Sequence, residues 1–346
     1  MSNLNRRKFF QLAFGAGSVA LLAPWMKSAF AGDGQAAEAL GVDGLKTAKR
    51  TSYALGTEIS MLVMHEDEET ARKALDAAFG ELETVESAMS IYRPNSQISR
   101  LNRDGVFNNP HPYFVDCMKA AIKLSKRSEG AFDVTVQPLW ELYMAAKKKN
   151  TLPSAAEIEA ARKKIDWKKI EFNDSKIQIG DGMAITFNGI AQGYAADRCA
   201  DALKKFGIQH ALVNTGEIHA MGNKAGAAPA PWTVGIQHPR QPDAYIGMAK
   251  LDGMCLATSG DYATTFTDDF VYNHIFDPAT GRSPLVFSSV TVVTNRAIDA
   301  DGLSSAVCVV GLERGLKLIA DTPGGEGLLV FKDGKTFATK NFPLAT

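Results

Sequence analysis

The sequence predicts an α+β fold. Helix-like periodicity clusters in the first half of the chain and strand-like alternation in the second, few parallel β-α-β units can be traced, and no linker or repeat divides the 346 residues cleanly. Segment 51–63, TSYALGTEISMLV, alternates well enough for one strand. From Glu66 to Ala88 apolar residues recur at helical spacing (Ala74, Ala78, Leu82, Val85, then Met89), an amphipathic helix that stops before Pro94. A second helix covers Tyr113 to Ser128 and ends near Gly130. A third fits Ser154 to Lys164, with Ser154 and Glu157 spaced as a capping box.

Glu171 to Phe187 reads as a hairpin that turns at Asn173-Asp174 and again near Gly180-Asp181-Gly182. A helix from Tyr194 to Phe206 follows, with Gly207 as its C-terminal stop. Beyond it come the strand-like runs HALVNTG, WTVGIQ, YIGMAKL, MCLATSG, VYNHIFD and SVTVVTN, with a surface loop at 223–231, NKAGAAPAP. A last helix, Ile298 to Val310, precedes two short closing strands.

Apolar content of 45% and charged content of 22% are ordinary globular values. The formal net charge of zero hides an asymmetry: the first 31 residues hold Arg6, Arg7, Lys8 and Lys27 and no acid, leaving 34 basic against 38 acidic residues beyond them. A mildly acidic body gives no support for nucleic-acid binding. The same N-terminal stretch has the form of a twin-arginine signal peptide: Asn5-Arg6-Arg7-Lys8-Phe9-Phe10, a modestly apolar run, then Ala29-Phe30-Ala31 as an A-x-A cleavage site. The apolar run is too short for a comfortable membrane span, which needs about 20 apolar residues. The expectation is a periplasmic protein exported by the twin-arginine route, with residues 1–31 removed and 32–346 forming the mature domain. Cys117, Cys199, Cys255 and Cys308 lie in apolar segments without a C-x-x-C pair, and read as buried free thiols.

No H-E-x-x-H, G-x-S-x-G, S-x-x-K or Walker lysine is present, so zinc hydrolase, serine hydrolase and P-loop readings fall away. Four stretches carry chemistry instead. In NRAIDADGLSSAVCVVG, Asp301 and Ser305 are four apart and share one helix face; their hard oxygens suit Mg²⁺, unless Asp299 or Asp301 only caps the helix. In NHIFDPATG, His274 ends a strand before a D-P-x-T-G turn, either as a general acid/base or as a turn-stabilising ring. In GAFDVT, Asp133 caps the adjacent backbone or faces a ligand. Tyr92, at the end of a helix, is a core residue or a stacking platform for a flat ligand.

Taken in order, MSIYRPNSQISRLN, GAFDVTVQPLW, NGIAQGYAAD, ALVNTGE, WTVGIQHP, LATSGDY, HIFDPATG and DADGLSSAVCVVG resemble the FAD:protein FMN transferases, the ApbE family, over residues 51–331. The resemblance implies two intertwined lobes, a mostly antiparallel sheet with flanking helices, and FAD between the lobes. It implies Mg²⁺-dependent transfer of FMN from FAD to a Thr or Ser hydroxyl of an envelope acceptor, releasing AMP. Acceptors of this family are subunits of membrane electron-transfer complexes of the Nqr or Rnf kind, or a NosR-like protein in the exported NosX-like branch.

By the resemblance, the Gly189 carbonyl, Asp301 and Ser305 hold the metal, with Ser304 nearby. Leu55, Tyr92, Ala131, Phe132, Asp133 and Ile275 contact FAD, and His274 is the acid/base for the acceptor hydroxyl. The helix after Gly189 adds amide donors and its dipole for the pyrophosphate. Four positions depart from the family's pattern. Thr186 replaces an aspartate and Gln192 a lysine within the FAD site; Glu217 stands for aspartate and Ser305 for threonine. Loss of the lysine charge predicts weaker FAD binding or slower turnover. Two other outcomes stay open: an FAD pyrophosphatase that gives FMN and AMP, and a low-turnover flavin-binding maturation factor.

Overall fold

In the computed structural model, which describes residues 44–224 and 230–345, the first strand-like run is a hairpin. Strands β1 (Lys46–Ala54) and β2 (Thr57–His65) pair antiparallel around Leu55 and Gly56, both at positive φ (50° and 78°). That is the backbone a two-residue turn needs to match strand twist, but leucine is an unusual occupant of its first position, so the run read as one strand. The twin-arginine stretch, the A-x-A site and most of the 223–231 loop lie outside the described residues.

Helix α1 (Glu68–Met89) starts where Asp67 accepts the Thr70 N–H, and α2 (Gln97–Asp104) where Ser96 accepts from Ser99. Strand β3 (Val106–Asn108) precedes α3 (Pro112–Arg127); α4 (Gln137–Lys147) and α5 (Ala155–Arg162) follow, α5 with the anticipated capping box. Strands β4 (Glu171–Phe172) and β5 (Lys176–Gln178) join β3 in a small sheet. The second leg of the expected hairpin is not a strand. Residues 183–187 run on without a ladder, and Asn102 holds them instead, its amide both donating to the Ile185 carbonyl (2.8 Å) and accepting the Ile185 N–H (2.7 Å).

Helix α6 (Ala191–Lys205) starts three residues earlier than its periodicity indicated and ends in a Schellman motif, with Gly207 at φ 78° and the Gly207 and Ile208 N–H groups bonded to Lys204 and Leu203 carbonyls. Strands β6 (His210–Asn214), β7 (Ile218–Met221), β8 (Trp232–His238), β9 (Gln241–Leu251), β10 (Cys255–Gly260) and β11 (Phe287–Thr294) follow. The run VYNHIFD forms only isolated bridges, Thr265 with Asn273 and Asp277 with Arg282, so His274 sits on a long connection rather than at a strand end. Its apolar residues turn to α4: Phe266, Tyr272 and Phe276 cluster around Tyr143. Helix α7 (Ala297–Val310) is followed by a helix not anticipated, α8 (Leu312–Ala320), before the closing strands β12 (Glu326–Phe331) and β13 (Thr336–Ala338).

One eight-stranded sheet, β1-β2-β6-β7-β10-β11-β12-β13, organises the chain, and every ladder in it is antiparallel. Helices α1, α6 and α7 pack on one face. The β8–β9 hairpin covers part of the other, where Trp232, Val234, Ile236 and Leu251 meet Ile218, Leu256, Val293 and Leu328. Being covered on both faces explains why β11 is buried along its whole length. The four cysteines are free and buried.

Helices α6 and α7 touch backbone to backbone. A Cβ built on Gly193 would meet the Ala297 carbonyl oxygen at 2.2 Å and the Asp301 Cβ at 2.7 Å. Main-chain atoms cannot yield as a flexible side chain does, so Gly193→Ala should lower stability by ~2 kcal/mol or more, read by urea unfolding. An unchanged midpoint would mean the helices separate easily.

Candidate active site

A cleft of about 1010 Å³, open to solvent, lies where the loop before α4, the turn before α6, the end of β10 and one face of α7 converge. Of the predicted residues it gathers Ala131, Phe132, Asp133, Thr186, Gly189, Gln192, His274, Ile275, Asp301 and Ser305. Leu55 and Tyr92 border a smaller neighbouring cavity, which shares Asn188 and Gln192 with the cleft. Ser304 is wholly buried behind the lining.

The oxygen donors come from α7, the turn before α6 and the strand β10. Asp301 and Ser305 occupy one face of α7, and a Cβ on Gly189 would come to 3.2 Å from the Ser305 Oγ, so the turn lies close against that hydroxyl. Ser259, which the sequence reading did not single out, completes the arrangement: its Oγ lies 2.7 Å from Ser304 Oγ and 2.9 Å from Ser305 Oγ. Each hydroxyl has one proton. Ser304 donates its own to the Asp301 carbonyl (2.8 Å), so Ser259 donates to Ser304 and Ser305 to Ser259. The Ser305 lone pairs are thereby left for a ligand. Carboxylate, hydroxyl and nearby carbonyl make a hard donor set that fits a cation such as Mg²⁺.

Neither Asp299 nor Asp301 caps α7. Asp197, from α6, accepts the Ala297 N–H (2.9 Å) and the Ile298 N–H (3.2 Å), and also meets His219 Nδ1 (2.9 Å). Asp197, His219 and Cys255 bring their donor atoms within 4.8 Å of one another, but that carboxylate is already filled by these three contacts. Asp301 in turn accepts the Gly193 N–H (2.8 Å). The amides at the start of α6 are therefore partly occupied, Ala191 by the Phe187 carbonyl and Gly193 by Asp301, and fewer remain for a pyrophosphate than the resemblance implied.

Burial pushes Asp301 up to about 7, the Gly193 N–H opposing it, and pushes Glu217, which accepts the Thr258 N–H, well above the carboxylate range. Asp133 is also raised by burial, and its carboxylate is engaged by Thr135 (N–H 2.8 Å, Oγ 2.6 Å) and the Trp167 N–H (3.2 Å), a capping arrangement. Thr186 Oγ accepts the Asn188 N–H, and Asn188 donates to the Tyr92 hydroxyl. Gln192 rests its amide against Gly216 and donates to the Leu55 carbonyl at 3.4 Å. Among the described residues lining the cleft, none is lysine or arginine.

His274 is partly buried, with Nδ1 enclosed and unpartnered. Burial lowers it from 6.5 to about 4, so the ring is neutral near pH 7 and able to accept a proton. Below pH 6.5 the unfolded chain takes up a proton here that the folded chain refuses until about 4, so stability is full above that window and declines through it. Urea unfolding across this range should show the protein losing stability more steeply than its His274→Asn variant; parallel profiles would contradict an enclosed ring.

The model of the ApbE family matches residues 55–329. A Vibrio cholerae protein named FAD:protein FMN transferase is 34% identical over 279 residues, covering 75% of this chain and 81% of its own length. One of the same name from Haemophilus influenzae is 29% identical over 291 residues, covering 79% and 82%. Among solved structures, the ApbE protein of Thermotoga maritima superposes with a TM-score of 0.76 at 30% identity, covering 85% of this chain and 97% of that one. The apo form of the Pseudomonas stutzeri flavinyl transferase ApbE gives 0.75 at 30%, covering 87% and 96%. With its fold matched along nearly the whole length of these structures, the chain belongs to the ApbE family.

Proposed function

We propose that this protein transfers FMN from FAD to a Thr or Ser hydroxyl of an envelope acceptor protein, with AMP as the second product and Mg²⁺ required. The observation that carries the reading is one cleft holding both Asp301 and Ser305, beside Gly189, and a neutral His274. The names of the relatives support the flavin transfer.

Asp301, Ser305 and the Gly189 carbonyl would hold the cation. When bound, it supplies neutralisation of the negative charge that grows as the P–O–P bridge breaks. The chain's own groups do the rest. Phe132, Ile275 and Trp140 give the cleft apolar walls against which a ring system packs. His274 takes the proton of the acceptor hydroxyl as its oxygen bonds to the phosphorus of the FMN half, and AMP departs with the bridging oxygen. Since no lysine or arginine among the described residues lines the cleft, the diphosphate would depend on the cation for its counter-charge. The twin-arginine stretch supports action in the periplasm on an acceptor of the Nqr, Rnf or NosR kind. No helix among the described residues is long and apolar enough to cross a membrane.

Incubation with FAD, Mg²⁺ and an acceptor tests the reading. Flavin that stays on the acceptor through denaturation is the expected result; free FMN would indicate hydrolysis instead, and unchanged FAD a binding protein. Asp301→Ala should cut transfer more than about 100-fold without unfolding the chain, and chelation by EDTA should do the same to the wild type. Near-normal turnover in either case overturns the cation assignment.

His274→Ala should slow transfer by roughly 10²-fold or more while FAD affinity changes little. A loss of binding alone would remove its acid/base role. Tyr92→Ala should weaken FAD binding by up to about tenfold, as measured by flavin fluorescence, and unchanged affinity would return Tyr92 to a packing role.

A further inference from the structure

We propose that Arg240 and Lys332, acting through the buried Asp261, position His274 for the reaction. The inference rests on the acid/base reading of His274 and extends it to residues outside the cleft lining. His274 lies on the connection between β10 and β11, which has no ladder of its own and so must be placed by side chains. One anchor is the aromatic cluster on α4, where Phe266, Tyr272 and Phe276 surround Tyr143. A second anchor is needed to stop the connection from pivoting about the first, and a charged network provides it.

Asp261, 3% exposed at its side chain, begins the connection, tied to the sheet where its N–H donates to the Ser288 carbonyl. Arg240, in the β8–β9 turn, donates to both carboxylate oxygens, at 2.6 and 2.8 Å, and Lys332, just past β12, lies 2.9 Å from one of them. The same two cations also grip the far side of the connection. The Arg240 guanidinium sits 4.1 Å over the Phe270 ring, and Lys332 donates to the Phe270 carbonyl at 2.7 Å. Asn273 Nδ2 donates to that same carbonyl, and its Oδ1 accepts the Ile275 N–H. His274 is bracketed between these bonds, and its own N–H goes to the Thr264 carbonyl at 3.0 Å.

Two cations on one buried carboxylate exceed what charge balance requires; the surplus is directed at Phe270, four residues before the imidazole. A fork of two parallel N–H···O bonds also fixes direction, which a lysine at position 240 could not do. The network therefore joins three separate elements, the β8–β9 turn, the end of β12 and the start of the connection, to the backbone that carries the ring.

The test uses the full chain with Arg240→Met, Arg240→Lys and Lys332→Met. Positioning predicts that kcat for FMN transfer falls roughly 10- to 100-fold in Arg240→Met while KM for FAD stays within about twofold, with Arg240→Lys recovering only part of the loss. Hydrogen exchange of the amides at 264–276 should accelerate in the same variants, whether or not the protein is active. Exchange left unchanged, or kcat and FAD binding falling together, overturns the proposal. Faster exchange in a protein whose wild type transfers no flavin would leave the clamp standing and remove the function reading. If Arg240→Met does not fold, Lys332→Met, which keeps the Arg240 fork, carries the same comparison.

Discussion

The site depends on the way α6 and α7 cap each other. Asp197 of α6 accepts the first two N–H groups of α7, and Asp301 of α7 accepts the Gly193 N–H near the start of α6. Each helix thus answers the orphan donors of its neighbour with a buried carboxylate, an arrangement that holds only if the two backbones are nearly in contact. Gly193 supplies that contact. Once the helices are locked, the position of Asp301 is set by its bond to α6, and Ser305 follows one turn later on the same face. The turn at Gly189 is brought against Ser305 by the same packing.

Much of this was legible in the sequence because it is local. The capping box at Ser154, the period of α1, the glycine stop after α6 and the four-residue spacing of Asp301 and Ser305 each depend on neighbours along the chain. The failures share a different cause. The 55–56 turn was hidden because leucine occupies a position where asparagine or glycine would announce a hairpin. Residues 183–187 imitate a strand, but the partner that satisfies them is the side chain of Asn102, 83 positions away. The apolar residues of 270–277 alternate for the sake of an aromatic cluster on α4. Ser259 lies within the LATSGDY stretch, but a serine in a strand declares no role until the sheet sets it beside Ser304 and Ser305.

The structure shows which partners several of the residues named by the resemblance already have. Asp133 lines the cleft while its carboxylate accepts from Thr135 and Trp167, which orders the backbone on either side of it. Gln192 turns its amide to Leu55 and Gly216, tying the β1–β2 turn to the start of α6. The strained Leu55 backbone is explained by this tie: its N–H meets Glu86 and its carbonyl meets Gln192, two contacts that a relaxed residue at that corner would not present together.

Thr186 and Gln192 bring no charge to the cleft, and Asp133 spends its carboxylate on Thr135 and Trp167. What remains is deep: Asp301 and Glu217, both buried, with Glu217 driven above the carboxylate range first by desolvation and then by Asp301. Two carboxyls in that setting do not both ionise readily. A carboxyl held back from ionising repels an anion less than an ionised one does. The oxygen donors of α7 and the raised carboxyls therefore share one setting, a buried cleft face whose charge is governed by desolvation rather than by ion pairs.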